Sequence, residues 1–548
     1  MTALILFLLI GLFMQATETV SRPSSRISLV LILSVSTLLA FSLILLGANA
    51  TLAPRLAWFI LISPFIIVAC AICSKKGRGL FASVFSCYKN FLGLIIISSD
   101  KKTLPRSLKV GEKLTNIITL LYIVAAFALS ALSGVSNGDA QTYTIPRVVN
   151  SFLSRQLFLS SSSVPTQGFH AFGHDYLYAA DIYIGNTLSL SLVSVSELIF
   201  LFVLSDLLIK RSTCHIPIKG TAIVSSRLLC RLLLIGLPAL FYQANNVKNE
   251  LILAPLALSV VILLQDLFQF LATSNCTFKS GLKSIHHCIF VLPLGILLAS
   301  VSKGYGVLSV IPSFALFSLV YIGCMLNRQS EKTNVSVKHA TILVKPIVPI
   351  LSAILLSFLS AIAYSFEINK ASHWSEEYAS FVGSHGPDLR QALEVFPLTF
   401  FRVLLEGLLN VPAPVRINID QLFTWHDSSS YVHGGIYEFG AIINQDIAWP
   451  GVLFNSCAIA TALLLIYSSS RTRFFNLYSS VSLVQLMDSF ALFALAFSSV
   501  VSFFVILLKL YWQPGFSRYL LMPSILLVPL ISVILGYVFS PEGAKADE

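Results

Sequence analysis

An all-α polytopic integral membrane protein is the fold class this sequence predicts, and three observations predict it. Hydrophobic residues make up 56% of the chain and charged residues 11%, with a mean hydropathy of +0.83. That leaves too little polar surface to cover a soluble body of 548 residues. The apolar residues are gathered into runs near the length, about 20 residues, that a helix needs to cross roughly 30 Å of hydrocarbon. Lys and Arg fall in every second connector between those runs, as the positive-inside rule requires.

The runs lie near 27–48, 55–73, 114–134, 186–209, 223–242, 250–272, 284–301, 304–326, 342–365, 448–468, 482–508 and 517–539. The segment 2–15 is shorter, but it lacks the basic start of a leader and precedes Arg22 and Arg26, so it is counted as a span. The expectation is about 13 transmembrane helices. Residues 1–73 form the N-terminal transmembrane helices. Residues 74–113 form a cytoplasmic segment with the densest basic charge, including Lys75, Lys76, Arg78, Lys89, Lys101, Lys102 and Arg106, and an interfacial helix is expected around Leu80–Ile97. A transmembrane module fills 114–365, with a first outer loop at 135–185. A second outer loop, periplasmic or luminal, fills 366–447, and 448–548 hold the C-terminal transmembrane helices and a short cytoplasmic tail.

The remaining basic connectors continue the alternation: Arg22/Arg26, Lys210/Arg211/Lys219, Lys279/Lys283, Arg328/Lys332/Lys338 and Arg471/Arg473. The net charge of +11 is thus a topology signal with attraction to anionic lipid, and nucleic acid is excluded as a partner. Trp58, Trp374, Trp425, Trp449 and Trp512 fall on or near the outer face, as an aromatic belt would. The nine cysteines avoid both outer loops, so neither a disulfide framework nor a zinc spacing is expected.

The second outer loop carries a broken amphipathic stretch from Pro387 through Pro397 to Leu409, in which Arg402 and Glu406 read as a helix-surface ion pair. Asp206, four residues before Lys210, reads as another such pair at a cytoplasmic end. The most informative stretch is Asp139 to Val148, which sets a carboxylate, Tyr143 and Arg147 just outside a span. An enzyme acting on a membrane-borne substrate would keep its base there; the plain alternative is an Asn137-Gly138-Asp139 turn.

Three segments carry a resemblance. Asp139…Tyr143…Pro146-Arg147-Val148 is followed by Val164-Pro165-Thr166; Asn444-Gln445-Asp446 leads to Trp449-Pro450; and Lys509…Trp512-Gln513-Pro514…Arg518…Pro523 closes the series. Together they resemble the bacterial membrane glycosyltransferases of the GT-C superfold, relatives of the protein O-mannosyltransferases and of the aminoarabinose transferase of lipid A. The resemblance implies inverting transfer from a polyprenyl-phosphate sugar to a glycan, lipid or protein acceptor, on the periplasmic face of a bacterial plasma membrane. Asp139 would be the general base, and Arg518, Arg147 and Lys509 would hold the departing phosphate. Tyr143, His170, His174, Asp175, Asp181, Gln445, Asp446, Trp512 and Gln513 complete the expected substrate site. Thr144 and Gln445 depart from the family pattern, which weakens a two-carboxylate metal site. No metal is assigned, although Asp175, Asp181 and Asp446 offer the oxygen ligands that Mg²⁺ or Mn²⁺ would take. His170 and His174 are spaced for zinc, but Gly173 between them and the lack of a third ligand favour a polar cleft.

Two other readings compete. Glu197, Asp266 and Asp488 lie inside apolar spans, where acids mark proton or ion pathways, so a proton-coupled transporter or a flippase for lipid-linked glycans would use them. Against it stand the lack of an inverted repeat or of paired broken helices, and the long outer loop. A polymerase or ligase of lipid-linked glycans would instead depend on outer-loop arginines such as Arg390 and Arg416.

Overall fold

The computed structural model describes residues 1–51, 54–97, 104–133, 144–155, 173–186, 190–214, 220–244, 250–273, 291–320, 452–469, 483–509 and 519–539, with residues 352, 355 and 393. Among them the structure is all helix, with no strand. Helices α1 (Thr2–Ala16), α2 (Pro23–Thr51), α3 (Pro54–Cys73), α4 (Lys75–Ile95) and α5 (Arg106–Ser133) come first. The short α6 (Ile145–Ser154), a 3-10 turn (Asp175–Tyr178) and α7 (Ala179–Tyr183) follow. Then come α8 (Leu192–Thr213), α9 (Gly220–Ile235), α10 (Pro238–Ala244) and α11 (Leu253–Thr273). Two apolar helices, α12 (Val291–Ser302) and α13 (Gly306–Val320), lead to α14 (Val452–Ser469), α15 (Leu483–Lys509) and α16 (Leu521–Val538).

The expected count of spans is corrected. Among the described residues five helices are long and apolar enough to cross a membrane, or six if the bent pair α9 and α10 is one span. The described residues of each expected apolar run are largely helical, although little of 342–365 is among them. Yet α1, α12, α13 and the apolar parts of α3, α11 and α14 are only 10–17 residues long. At about 1.5 Å per residue such helices reach less than the roughly 30 Å core.

α8 is the central helix, touching α1, α2, α4, α5, α9, α10, α11, α15 and α16. Its side chains are buried almost throughout. A helix that is apolar all round buries nearly all of itself only when other helices surround it. The two ends of the bundle are chemically distinct. Near Arg22, α2, α8, α11 and α15 converge: Arg211 bridges Asp266 at 2.7 Å and Asp488 at 3.0 Å, and Arg22 reaches Asp266 at 2.8 Å. At the opposite end α2 meets α6, where Asn49 Nδ2 donates to the Phe152 carbonyl at 2.9 Å.

Local chemistry explains several packings. On α4, Ser74 caps the first turn by accepting from Gly77 N at 2.9 Å. Its buried Val84, Cys87, Tyr88, Phe91 and Ile95 recur at helical spacing, and Tyr88 stacks on Phe7 of α1 with ring centroids 3.9 Å apart. In α3, Pro64 has no N–H for the Ile60 carbonyl, and Ser63 Oγ donates to that oxygen instead, at 2.7 Å. Serines also tie helices together where apolar packing alone has no preference over lipid: Ser499 Oγ bonds the Pro523 carbonyl at 2.6 Å and Ser313 Oγ the Ala494 carbonyl at 2.8 Å.

Candidate functional site

At the end of the bundle away from Arg22, a set of ionisable side chains is buried among α6, the 3-10 turn, α8 and the connectors that precede α11 and α13. Pro146 stands in the first turn of α6, where a missing N–H costs nothing, and Arg147 follows it in the same turn, buried in the protein. Arg147 pairs with Asp175, both buried. The neighbouring His174 turns its Nε2 to Glu197 Oε1 on α8, 2.8 Å away, and neither side chain reaches the surface. Lys303 pairs with buried Glu250 and lies over the Tyr519 ring, 5.6 Å from its centre. Tyr178 sits edge-on to His174 at 5.4 Å, and its hydroxyl lies 3.4 Å from Ser194 Oγ.

Backbone packing fixes this arrangement. Gly173 N donates to the Val301 carbonyl at 2.8 Å. A Cβ at Gly173 would stand 2.8 Å from Val301 Cγ2 and 3.0 Å from that carbonyl, so only glycine lets the strand of chain before His174 approach α12 so closely. Burial pushes the Asp175 carboxyl above the usual carboxylate range, while Arg147, His174 and Lys303 pull it back down. Burial likewise pushes the Tyr176 and Tyr178 hydroxyls up, so they remain neutral donors.

Of the residues expected to form the site, the structure brings Arg147, His174 and Asp175 together and sets Asp181 close by on α7. Asp181 accepts from the Met1 amino group at 2.6 Å and from Thr2 N at 3.1 Å. Asp175 and Asp181 therefore pair with different cations, Arg147 and the Met1 amino group. Asp139, Tyr143, His170, Gln445, Asp446, Trp512, Gln513 and Arg518 lie outside the described residues, as does the side chain of Lys509. Sequence reasoning missed Glu250 and Lys303. The signal was present: Lys303 is a lone cation in a short connector that the alternation assigns to the non-basic end. It found Glu197 only as an isolated acid, because its partner lies 23 residues earlier in the chain.

No family model, curated protein or solved structure matches this chain. The resemblance to the GT-C glycosyltransferases is corrected accordingly, and with it the glycosyltransferase activity and enzyme class. The helix count opposes it as well, with five or six membrane-crossing helices among the described residues in place of about 13. The motifs misled for a physical reason. Trp, Pro, Arg and Asp are the residues that any polytopic chain places where spans end, so short matches among them carry little specificity.

The other buried acids also have defined partners. Asp266 and Asp488 are tied to Arg211, and Ser25 Oγ donates to Asp266. Asp206 does not pair with Lys210. Arg231 holds it from α9, with Arg227 at 3.3 Å. The intrahelical spacing suggested the wrong partner because Asp206 faces α9, whereas Lys210 is exposed.

Proposed function

We propose that this chain is a proton-linked membrane transporter whose proton-binding element is the His174–Glu197 pair. The observation that carries the reading is the state of that pair. Its two members share one contact of 2.8 Å deep in the protein, while His174 Nδ1 and Glu197 Oε2 are buried without a hydrogen-bond partner among the described residues. A structural ion pair is normally satisfied on all its polar atoms. Here each group keeps one polar atom through which a proton can be gained or passed on, and imidazole is the side-chain type suited to proton relay near neutral pH. Ionisable residues buried in a membrane protein are costly and mark such pathways.

The broken helix supports the same reading. α9 and α10 are bent by 70° across a short break, and discontinuous helices are a recurrent element of transporter sites. By the positive-inside rule the His174 end faces the periplasm or exterior of a bacterial plasma membrane, so protons would enter from that side.

The test is electrical and needs no knowledge of the solute. Purified protein in liposomes adsorbed on a solid support is given a pH jump, and the transient charge displacement is recorded. Wild type should give a displacement that Glu197→Gln abolishes while that variant elutes as wild type on size exclusion. A wild-type response that persists unchanged in Glu197→Gln, or the lack of any response in wild type, would overturn the proposal.

A further inference from the structure

Within the bundle, α8 and α9 enclose a second charged group that the proton site does not use. Arg231 donates through one terminal nitrogen to Asp206 and through the other to the Ile95 carbonyl at the end of α4. Arg227 reaches the same Asp206 oxygen at 3.3 Å. Among the described residues two guanidinium groups are therefore balanced by a single carboxylate, since the Ile95 carbonyl is neutral. The remaining polar atoms are unmatched: Nε of Arg227, Nε of Arg231 and Oδ1 of Asp206 are all buried with no partner among the described residues. Arg231 is among the largest fully buried side chains of the protein.

An excess positive charge in a low-dielectric interior is expensive unless an anion offsets it. Two unfilled N–H donors, one on each arginine, can be met by separate oxygens of a single oxyanion. Gly536, near the end of α16, packs on Ser226 beside Arg227, and Arg231 reaches the last turn of α4, so the site lies near helix ends where either a free oxyanion or the phosphate of a lipid headgroup can meet it. The same helix is the one broken after Ile235.

We propose that Arg227 and Arg231, positioned by Asp206, bind an oxyanion of the phosphate class, and that a free oxyanion of this kind is the solute carried. The second half rests on the transport reading above; the binding site does not. One positive charge in excess at this site accepts one negative charge, so a monoanion moving with a proton would cross as a neutral pair.

Inorganic phosphate is the probe. The full-length protein in detergent is heated at constant ionic strength over a phosphate titration, with chloride as the control anion, and the fraction remaining monodisperse is measured. Phosphate should protect saturably and chloride should not. Arg227→Gln, which removes the more accessible and weakly bonded arginine, should weaken the apparent affinity by about tenfold or more. Arg231→Gln risks losing the anchor of α4, so Asp206→Asn serves as the second variant: it deletes the competing carboxylate and should tighten phosphate binding several-fold, an effect that a purely structural triad would not produce. No protection of wild type, or equal protection of Arg227→Gln, overturns the site. Protection by anionic lipid in nanodiscs but not by phosphate overturns the free-oxyanion assignment. Phosphate binding that survives while wild type gives no pH-jump signal keeps the anion site and removes the transport reading. A pH-jump signal without phosphate binding does the reverse.

Discussion

The contact between α9 and α16 makes the sharpest prediction about stability. These are the most extensively packed pair of helices, and they meet at Gly536. A Cβ there would stand 2.4 Å from Ser226 Oγ and 2.7 Å from both the Cα and the N of Ser226. Two of those three atoms are backbone and cannot rotate aside. Restoring ordinary contact requires the helices to part by about 0.7 Å, which loosens dispersion along the whole seam. Overpacking of this kind costs about 3 kcal/mol at the upper end of its range, and the better helix propensity of Ala returns about 1 kcal/mol. Gly536→Ala should therefore be destabilised by about 2 kcal/mol. Gly79, on an exposed stretch of α4 with nothing within 4 Å of a new Cβ, is the internal reference. Gly79→Ala should gain about 1 kcal/mol from propensity alone. Size-exclusion profiles after graded heating in detergent would separate the two variants in opposite directions from wild type. Adding Ser226→Ala to Gly536→Ala should recover only part of the loss, since the backbone contacts stay. If Gly536→Ala melts with wild type, the close approach of the helices is wrong.

Two further predictions concern charge. Arg211, with a side chain 8% exposed, holds both Asp266 and Asp488, whereas Arg22 is 46% exposed. Arg211→Met should cost about 3–5 kcal/mol by stranding buried carboxylates and Arg22→Met about 1 kcal/mol or less; equal melting of the two variants would refute the assignment of Arg211 as the hub. Asp175 has its folded pKa raised by burial, so the folded state holds its proton where the unfolded chain has released it. That contribution is complete below the unfolded carboxylate range and is lost as pH rises through the folded value. Melting of wild type should decline across that window, and Asp175→Asn should flatten the decline; an unchanged slope would show that Arg147 already keeps the carboxylate ionised.

Much of the fold was legible because the bilayer acts as a uniform solvent. Hydropathy is selected locally by that solvent, so the helical character of the described residues and residence in a membrane could be read segment by segment. The site was legible only in part. Arg147, His174 and Asp175 stood out as polar residues beside a span, and Glu197, Asp266 and Asp488 as acids within spans, but nothing local said which of them meet. Asp206 shows why: the nearest cation in sequence is Lys210, whereas the partner that desolvation selects is Arg231, brought by another helix.

Sequence alone determined that this chain lies in a membrane as helices, because water and hydrocarbon sort residues without reference to neighbours. Tertiary structure decided where α9 breaks and, among the described residues, which buried charges are joined. Those outcomes depend on packing between distant segments, and a buried charge is tolerable only beside the partner that the fold delivers to it.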